Sequence, residues 1–537
     1  MSRTVSRHVR ALVLATGLAA LFALGGGCKC TRTPPPSEAK AASPNVRLYL
    51  ISSVAGALEP CGCVKDMLGG VDHLAAFVDK ERANAPHALA LGAGPMFFMD
   101  PELDSKKAAQ DRWKAEALAH SLASLGLKAW APGRNDWAGG GELLKQLDDK
   151  QMSLLGANLD APGLGVEKTR VYTVGGYRVG VAGVSQPAYK NALPDGVTAR
   201  DLRADLEAGL KSLEKEGAQI KVALVAAPRG EALRLAETVP GFHLMLVGKP
   251  ADKGESNDPP TPAVKIGDTL VVEGRNHLQA VAVVDFFVRG EKFVFEDASR
   301  TADEERRTSL RLNLAELEGR LKLLPADSPD RKHATEELAK KRAELETLSK
   351  SSPPAEGSFM TYKLVEVREG LGTDAKAAQF MSDYYRRVNE HNREAFKDLL
   401  PKPAPEGQAS YVGIEVCSSC HAEEREFWNT TGHAKAYATL DRQFKQFNLE
   451  CVGCHVTGYD QPGGSTVTHV EKLKDVQCET CHGPGSRHVQ SPVDKTLIQA
   501  SPPKTLCAPQ CHHPPHVPQG WSADAAWPKI IGKGHGM

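Results

Sequence analysis

The chain has 537 residues, a length that suggests roughly two to four domains. Its 66 Lys and Arg balance 66 Asp and Glu, so the formal net charge is zero and nothing in it points to a nucleic-acid partner. All 12 cysteines fall in short clusters, which leaves no lone core cysteine to explain.

In chain order, the first signal is a leader. Arg3, Arg7 and Arg10 precede an apolar stretch from Ala11 to Leu24, too short to span a membrane comfortably. Gly25, Gly26 and Gly27 then lead to Cys28. This predicts a signal peptide over 1–27. Gly-Gly-Cys after an apolar run also resembles a bacterial lipobox. The resemblance implies lipidation at Cys28 and a membrane anchor. Lys29 is not acidic, which implies sorting to the outer membrane. The Pro-, Ser- and Ala-rich stretch that follows is expected to be a flexible tether over 28–44.

Strand-like and helix-like runs alternate next. Val46 to Ile51, Ala88 to Leu91, Val181 to Ser185, Lys221 to Val225, Leu244 to Val247, Thr269 to Val272 and Ala280 to Val288 read as strands. Lys107 to Leu127 and Leu202 to Glu216 read as helices. Such alternation predicts an α/β domain with packed sheets over 45–300. Within it, Cys61-Gly-Cys63 follows the first strand. A Cys-x-Cys at a strand end suits a redox pair, a soft-metal site or a strained disulfide.

A helical hairpin is expected over 301–352. Leu310, Leu312, Leu314, Leu317, Leu321 and Leu324 lie among charges, Pro325 and Pro329 break the run, and a second charged helix covers Lys332 to Leu348. A strand from Phe359 to Val367, a helix from Lys376 to Leu400 and a Pro-rich linker fill 353–407. Residues 408–537 carry little regular pattern.

That last region holds the chemistry. Cys417-Ser-Ser-Cys420-His421, Cys451-Val-Gly-Cys454-His455 and Cys478-Glu-Thr-Cys481-His482 are Cys-x-x-Cys-His. Cys507-Ala-Pro-Gln-Cys511-His512 has one residue more between its cysteines. Cys-x-x-Cys-His is the attachment signature of c-type haem. Two thiols on one turn take the two vinyl groups, and the adjacent imidazole becomes an axial ligand. Zinc and disulfides are the alternatives, but neither needs a His after the second Cys. Four haems are therefore expected, with proximal ligands His421, His455, His482 and His512. Six further histidines lie in the same region, and His433, His469, His488 and His516 are the distal candidates. Bis-His iron is saturated and favours electron transfer over substrate chemistry.

Two resemblances follow from these residues. Tyr411 to His421, Trp428 to Ala434, Cys451 to Tyr459 and Val476 to His488 resemble the multihaem cytochrome c family related to the hydroxylamine-linked tetrahaem cytochromes. The resemblance implies stacked haems, electron transfer, an extracytoplasmic location, and distal roles for His433 and His488. Pro132 to Trp137, Gly156 to Asp160 and Leu244 to Lys249 resemble segments of the 5'-nucleotidase-like metallophosphatases. The ligands of that family are missing at Ser52-Ser53, Leu91 to Pro95, Arg134-Asn135 and Gly248-Lys249, so a fold kept without hydrolysis is expected. Glu59 to Cys63 resembles relatives in which selenocysteine replaces one cysteine, which implies a redox role.

The fold class expected is thus α/β, with metallophosphatase-like layered sheets and helices, then a helical hairpin and a mainly α or irregular multihaem cytochrome c domain. The function expected is electron transfer by a lipid-anchored carrier on the periplasmic side or surface of the outer membrane. Its partners would be redox proteins or quinol-linked donors. A multihaem reductase of a small nitrogen or sulfur compound and a metal-dependent phosphoesterase with attached haems are the alternatives.

Overall fold

Strands covered on both faces are apolar along their whole length, and those runs form the centre of this molecule. The computed structural model describes residues 43–60, 67–148, 152–186, 193–250, 259, 261–299, 304–325, 328–350, 353–513, 517 and 521–532. The chain begins with β1 (Val46–Ser52), α1 (Val71–Glu81), β2 (Ala88–Ala93), α2 (Ala108–Leu125), β3 (Leu127–Ala131), α3 (Gly141–Asp148), β4 (Ser153–Leu154) and β5 (Leu159–Asp160). It continues with β6 (Thr169–Val174), β7 (Tyr177–Ser185), β8 (Thr198–Ala199), α4 (Leu202–Lys215), β9 (Ile220–Ala226), α5 (Arg229–Thr238) and β10 (Leu244–Val247). Then come β11 (Val264–Ile266), β12 (Thr269–Val272), β13 (Ala280–Phe287), β14 (Phe295–Asp297), α6 (Glu304–Leu323), α7 (Pro329–Lys350), β15 (Ser358–Glu366) and α8 (Ala375–Ala395).

One sheet has the order β14-β15-β13-β1-β2-β3-β4 and the other β11-β12-β10-β9-β7-β6. Strands β1 to β4 run parallel to one another, as do β7, β9, β10 and β12, while β13 is antiparallel to β1, β6 to β7 and β11 to β12. Side chains alternate along β1 as a strand requires. Leu48 and Leu50 enter the layer between the sheets with Leu224, Leu246 and Phe286. Tyr49 and Ile51 face the other way, into a cluster with Leu74 of α1, Leu118 of α2 and Val388 of α8. Leu206 and Leu210 of α4 and Leu235 of α5 cover the second sheet. The result is helix, sheet, sheet, helix, the layered α/β arrangement expected.

A boundary at residue 300 cuts through the first sheet. β15 lies between β13 and β14 and pairs antiparallel with β13 from Ala280↔Glu366 to Phe287↔Phe359. α8 packs on α1 and α2, and its Tyr384, Tyr385 and Val388 join their core. The strand and helix of 353–407 therefore belong to the α/β core. Hairpin α6–α7 is an excursion between adjacent strands, closed by Leu314, Leu317 and Leu338. The run breaks between Leu323 and Pro329 as expected, and α7 opens on Pro329 rather than at Lys332, with Ser328 Oγ accepting from the Arg331 N–H at 3.2 Å. Among the described residues no helix is long and apolar enough to cross a membrane.

Asp136 fixes the carboxyl end of the first sheet. It accepts backbone N–H groups from Met96 at 2.8 Å, Phe97 at 2.8 Å and Gly133 at 2.7 Å. Burial pushes its carboxyl up to about 6, against the pull of these donors. A Cβ at Gly94 would stand 2.2 Å from Asp136 Oδ2, so only glycine fits beside it. Asp136→Ala strands three buried donors, and the expected loss is about 4 kcal/mol of unfolding free energy, with a milder loss for Asp136→Asn. Urea denaturation reads it, and a loss below about 1 kcal/mol in Asp136→Ala contradicts this role.

Candidate functional site

The four cysteine motifs sit on short helical turns. Ile414–Ser418, Val452–His455, Cys478–His482 and Cys507–Gln510 are helical. In the first and last of them a backbone bond folds the His back over its first Cys. The His421 N–H donates to the Cys417 carbonyl at 3.0 Å and the His512 N–H to the Cys507 carbonyl at 2.9 Å. Two cysteines on one turn, with a His beside them, is the geometry that covalent haem attachment needs.

Side chains inside the third motif hold the first one in place. Glu479 is 2% exposed, and its carboxylate accepts N–H groups from Val412 at 3.0 Å, Gly413 at 2.8 Å and Gly485 at 2.7 Å. Gln477 Oε1 accepts from the Ile414 N–H at 2.8 Å. Trp428 Nε1 donates to the Val476 carbonyl at 2.8 Å. None of these ties is announced by the motif pattern, which treats Glu479 as a free position. The one signal in the sequence is an acidic residue inside a motif otherwise flanked by small and apolar ones.

The histidines of this region come together in facing pairs. Two imidazoles that share one metal at about 2.0 Å from each nitrogen hold their ring centres roughly 6 Å apart. His421 and His488 face each other with ring centres 6.5 Å apart, and His433 and His512 with 6.2 Å. Each pair joins a motif histidine to a histidine outside the motifs. His488 Nδ1 is buried without a hydrogen-bond partner. His455 Nδ1 donates to the Ala436 carbonyl at 2.6 Å and His482 Nδ1 to the Gln499 carbonyl at 2.7 Å. These bonds fix the tautomer and leave Nε2 as the ligand. Burial holds His455 below the usual histidine range, and burial with the neighbouring His512 does the same for His433. Both are then in the neutral form that a metal binds. The residues present therefore fit haem c.

The motifs also approach one another. Cys417 and Cys478 are in hydrogen-bond contact, as are Cys454 and Cys511, and Cys507 lies near Cys481. The hydrogen bond to Cys478 holds the Cys417 thiol protonated, and that to Cys454 does the same for Cys511. The first motif is thus next to the third and the second next to the fourth. Among the described residues no group of three or more His, Cys, Asp or Glu converges as a metal cage. The cysteine pairs do not gather into the four-ligand shell that structural zinc requires.

The other candidates are placed as follows. His469 Nδ1 lies 3.3 Å from Thr466 Oγ1 and 3.1 Å from Thr468 Oγ1, near the end of α8. Its ring is not brought against a motif histidine in any contact among the described residues. Cys28, Cys61, Cys63 and His516 lie outside the described residues. At the carboxyl ends of the sheets, Ser52 Oγ accepts from the Gly274 N–H at 2.9 Å and Ser53 Oγ from the Lys249 N–H at 3.1 Å. Asn135 Nδ2 donates to the Met99 carbonyl at 2.5 Å. These positions, where the phosphatase pattern has ligands, serve the backbone instead.

Comparison with known proteins agrees with the C-terminal geometry. Residues 416–483 match the family model of cytochrome c554 and c-prime. This span takes in the first three motifs and stops before the fourth. Cytochrome c-554 of Nitrosomonas europaea is 38% identical over 93 residues, which are 14% of this chain and 40% of that protein. The chain thus spans less than half the length of this relative. That likeness implies c-type haem. Among solved structures, a 5'-nucleotidase precursor from Thermus thermophilus is similar with a TM-score of 0.42 and 17% identity, over 68% of this chain and 60% of that one. NAD nucleotidase from Haemophilus influenzae has a TM-score of 0.41 and 14% identity, over 68% and 63%. The calcineurin-like phosphoesterase YfkN from Bacillus subtilis has 0.42 and 12%, over 64% and 98%.

The facing rings make a direct prediction. His488→Ala and His433→Ala each remove one ligand of a facing pair. Each variant is expected to acquire a high-spin ferric signature absent from the parent, read by electron paramagnetic resonance, with the number of covalent haems unchanged. Unaltered spectra in both contradict the pairing.

Proposed function

We propose that this protein is an electron carrier with four covalently held c-type haems and an α/β domain that does not hydrolyse phosphate esters. The facing pairs His421–His488 and His433–His512, at 6.5 and 6.2 Å, carry this reading. A haem between two histidines has no open position for a substrate and serves one-electron exchange. The residues would hold the haems as axial and thioether ligands. What the chain itself adds is the tautomer of His455 and His482 and the spacing between motifs. The backbone duties of Ser52, Ser53 and Asn135 support an α/β domain without a dinuclear centre.

The finer parts of the reading rest on sequence. Haem is attached outside the cytoplasm, so the leader over 1–27 directs export. Lipidation at Cys28 anchors the chain on the periplasmic side or surface of the outer membrane. Its partners are redox proteins or quinol-linked donors. Cys61 and Cys63 form a redox pair.

One observation favours a second reading, the multihaem reductase. Among the described residues His455 has no second histidine ring against it. A haem held there by one axial ligand leaves a coordination position for a small molecule.

The intact mass of the chain made in a host competent for c-type maturation tests the main reading. Four added haems on a chain that starts at a lipidated Cys28 are expected. Three haems remove the segment from Cys507 to His512. A chain without covalent haem sinks the carrier and returns zinc to first place. A high-spin ferric signal in the parent protein supports the reductase.

A further inference from the structure

The residues just ahead of Cys451 join the haem-motif region to the α/β domain. Lys445 pairs with Glu59 and lies over the Tyr385 ring, 4.3 Å from its centre. Glu450 pairs with Lys114 of α2 at 2.9 Å. Between these ion pairs lies a cluster of amides. Gln110 Nε2 donates to Asn448 Oδ1 at 3.1 Å. Gln110 Oε1 accepts from the Leu449 N–H at 3.1 Å and from Asn392 Nδ2 at 3.2 Å. Asn392 Nδ2 also donates to the Phe447 carbonyl at 2.9 Å. Gln110, Asn392 and Asn448 are 1%, 2% and 1% exposed.

Burying three amides away from water is costly unless they bond one another, and here they do. Helices α2 and α8 direct these groups at a single short segment, 445–450. From there the ties run straight into the second motif. The Asn448 carbonyl accepts from the Cys451 N–H at 3.0 Å and the Val452 N–H at 2.9 Å, which starts the motif's helical turn.

Nearby charge, hydrogen bonding and burial are the levers by which a protein sets a haem's potential. All three meet at this seam. We propose that Gln110, Lys114 and Asn392 of the α/β domain are positioning residues for the haem that Cys451, Cys454 and His455 would hold, and that they set its reduction potential apart from those of the other three. The inference rests on the haem reading above. Its electrostatic sign is definite. Lys114 neutralises the Glu450 carboxylate beside Cys451. Without Lys114 that negative charge disfavours the added electron, so the potential falls. Gln110→Glu puts a carboxylate in the seam and acts in the same direction.

Spectroelectrochemical titration of the full chain tests this, because it resolves the midpoints of the individual haems. Cys451→Ala with Cys454→Ala marks the one in question, since the haem they would hold and its midpoint then drop out of the titration. Lys114→Ala is expected to lower the same midpoint by about a tenfold change in reduction equilibrium constant, ~59 mV for one electron. Gln110→Glu is expected to lower it too, Lys114→Arg to restore it, and the other three midpoints to stay in place. Lys114 is on the rim of the seam, so its variants keep the fold even where Gln110→Glu does not. A marked midpoint that Lys114→Ala leaves unmoved, or a shift shared by all four, overturns the proposal. The intact mass separates the two failures. A parent protein without covalent haem takes down the haem reading and this inference with it, whereas a full haem complement with an unmoved midpoint takes down this inference alone.

Discussion

The haem-motif region has almost no apolar interior of its own, and its organisation depends on that deficit. Its buried cluster is Tyr437, Val452, Val456, Val467 and Val470, with a few half-buried neighbours. A segment this poor in apolar burial does not offset the entropy of ordering its chain by side-chain packing alone. Polar ties replace packing. Glu479 gathers three backbone N–H groups, Thr457 Oγ1 bridges the Asp475 carbonyl and the Gln477 N–H, and the Asp475 carboxylate takes the Tyr437 N–H. Flat cofactors between the motifs would supply the missing interior. The α/β domain, by contrast, builds continuous layers from strands that are apolar on both faces.

This difference decides what the sequence discloses. The motifs are legible because attachment chemistry demands fixed residue types at fixed spacing. The strands of the sheet centre are legible because they are continuous apolar runs, and β1, β9, β10 and β13 lie where those runs are. Strand partners are not legible in the same way. β15 reads as a strand, but nothing in its residues says that it returns to lie between β13 and β14 after the hairpin α6–α7. A charged insertion in the chain therefore looks like a domain boundary. The second helix of the hairpin begins earlier than Lys332 for a local reason, because the same ring that breaks a helix interior is well suited to its first position.

The facing of the histidines is half legible. An excess of histidines says that iron ligands are available, but pairing is a tertiary property. His433 is opposed to His512, which is 79 residues further along the chain, and His421 to His488, which is 67 further along. The Glu479 clamp and the Gln110–Asn392–Asn448 cluster are not legible at all. Gln110 and Asn392 look like ordinary polar helix residues and Asn448 like a turn residue, and only the docking of one region on the other makes them interior.

The widened fourth motif shows how backbone geometry can preserve a chemical constraint through a change in spacing. In the first motif the His421 N–H reaches back four residues to the Cys417 carbonyl at 3.0 Å. In the fourth, the His512 N–H reaches back five residues to the Cys507 carbonyl at 2.9 Å. The extra residue is taken up as a π-type turn, a local widening of the helical ladder. The helix stops at Gln510, and Cys511 leaves it with φ −135° and ψ −38°. The His512 N–H still reaches the carbonyl of its first cysteine. Trp521 stacks on one side of its ring, with centres 4.9 Å apart, and His433 faces it at 6.2 Å. What both motifs keep is the backbone bond from the His N–H to the carbonyl of the first Cys, and the turn lengthens by one residue without losing it.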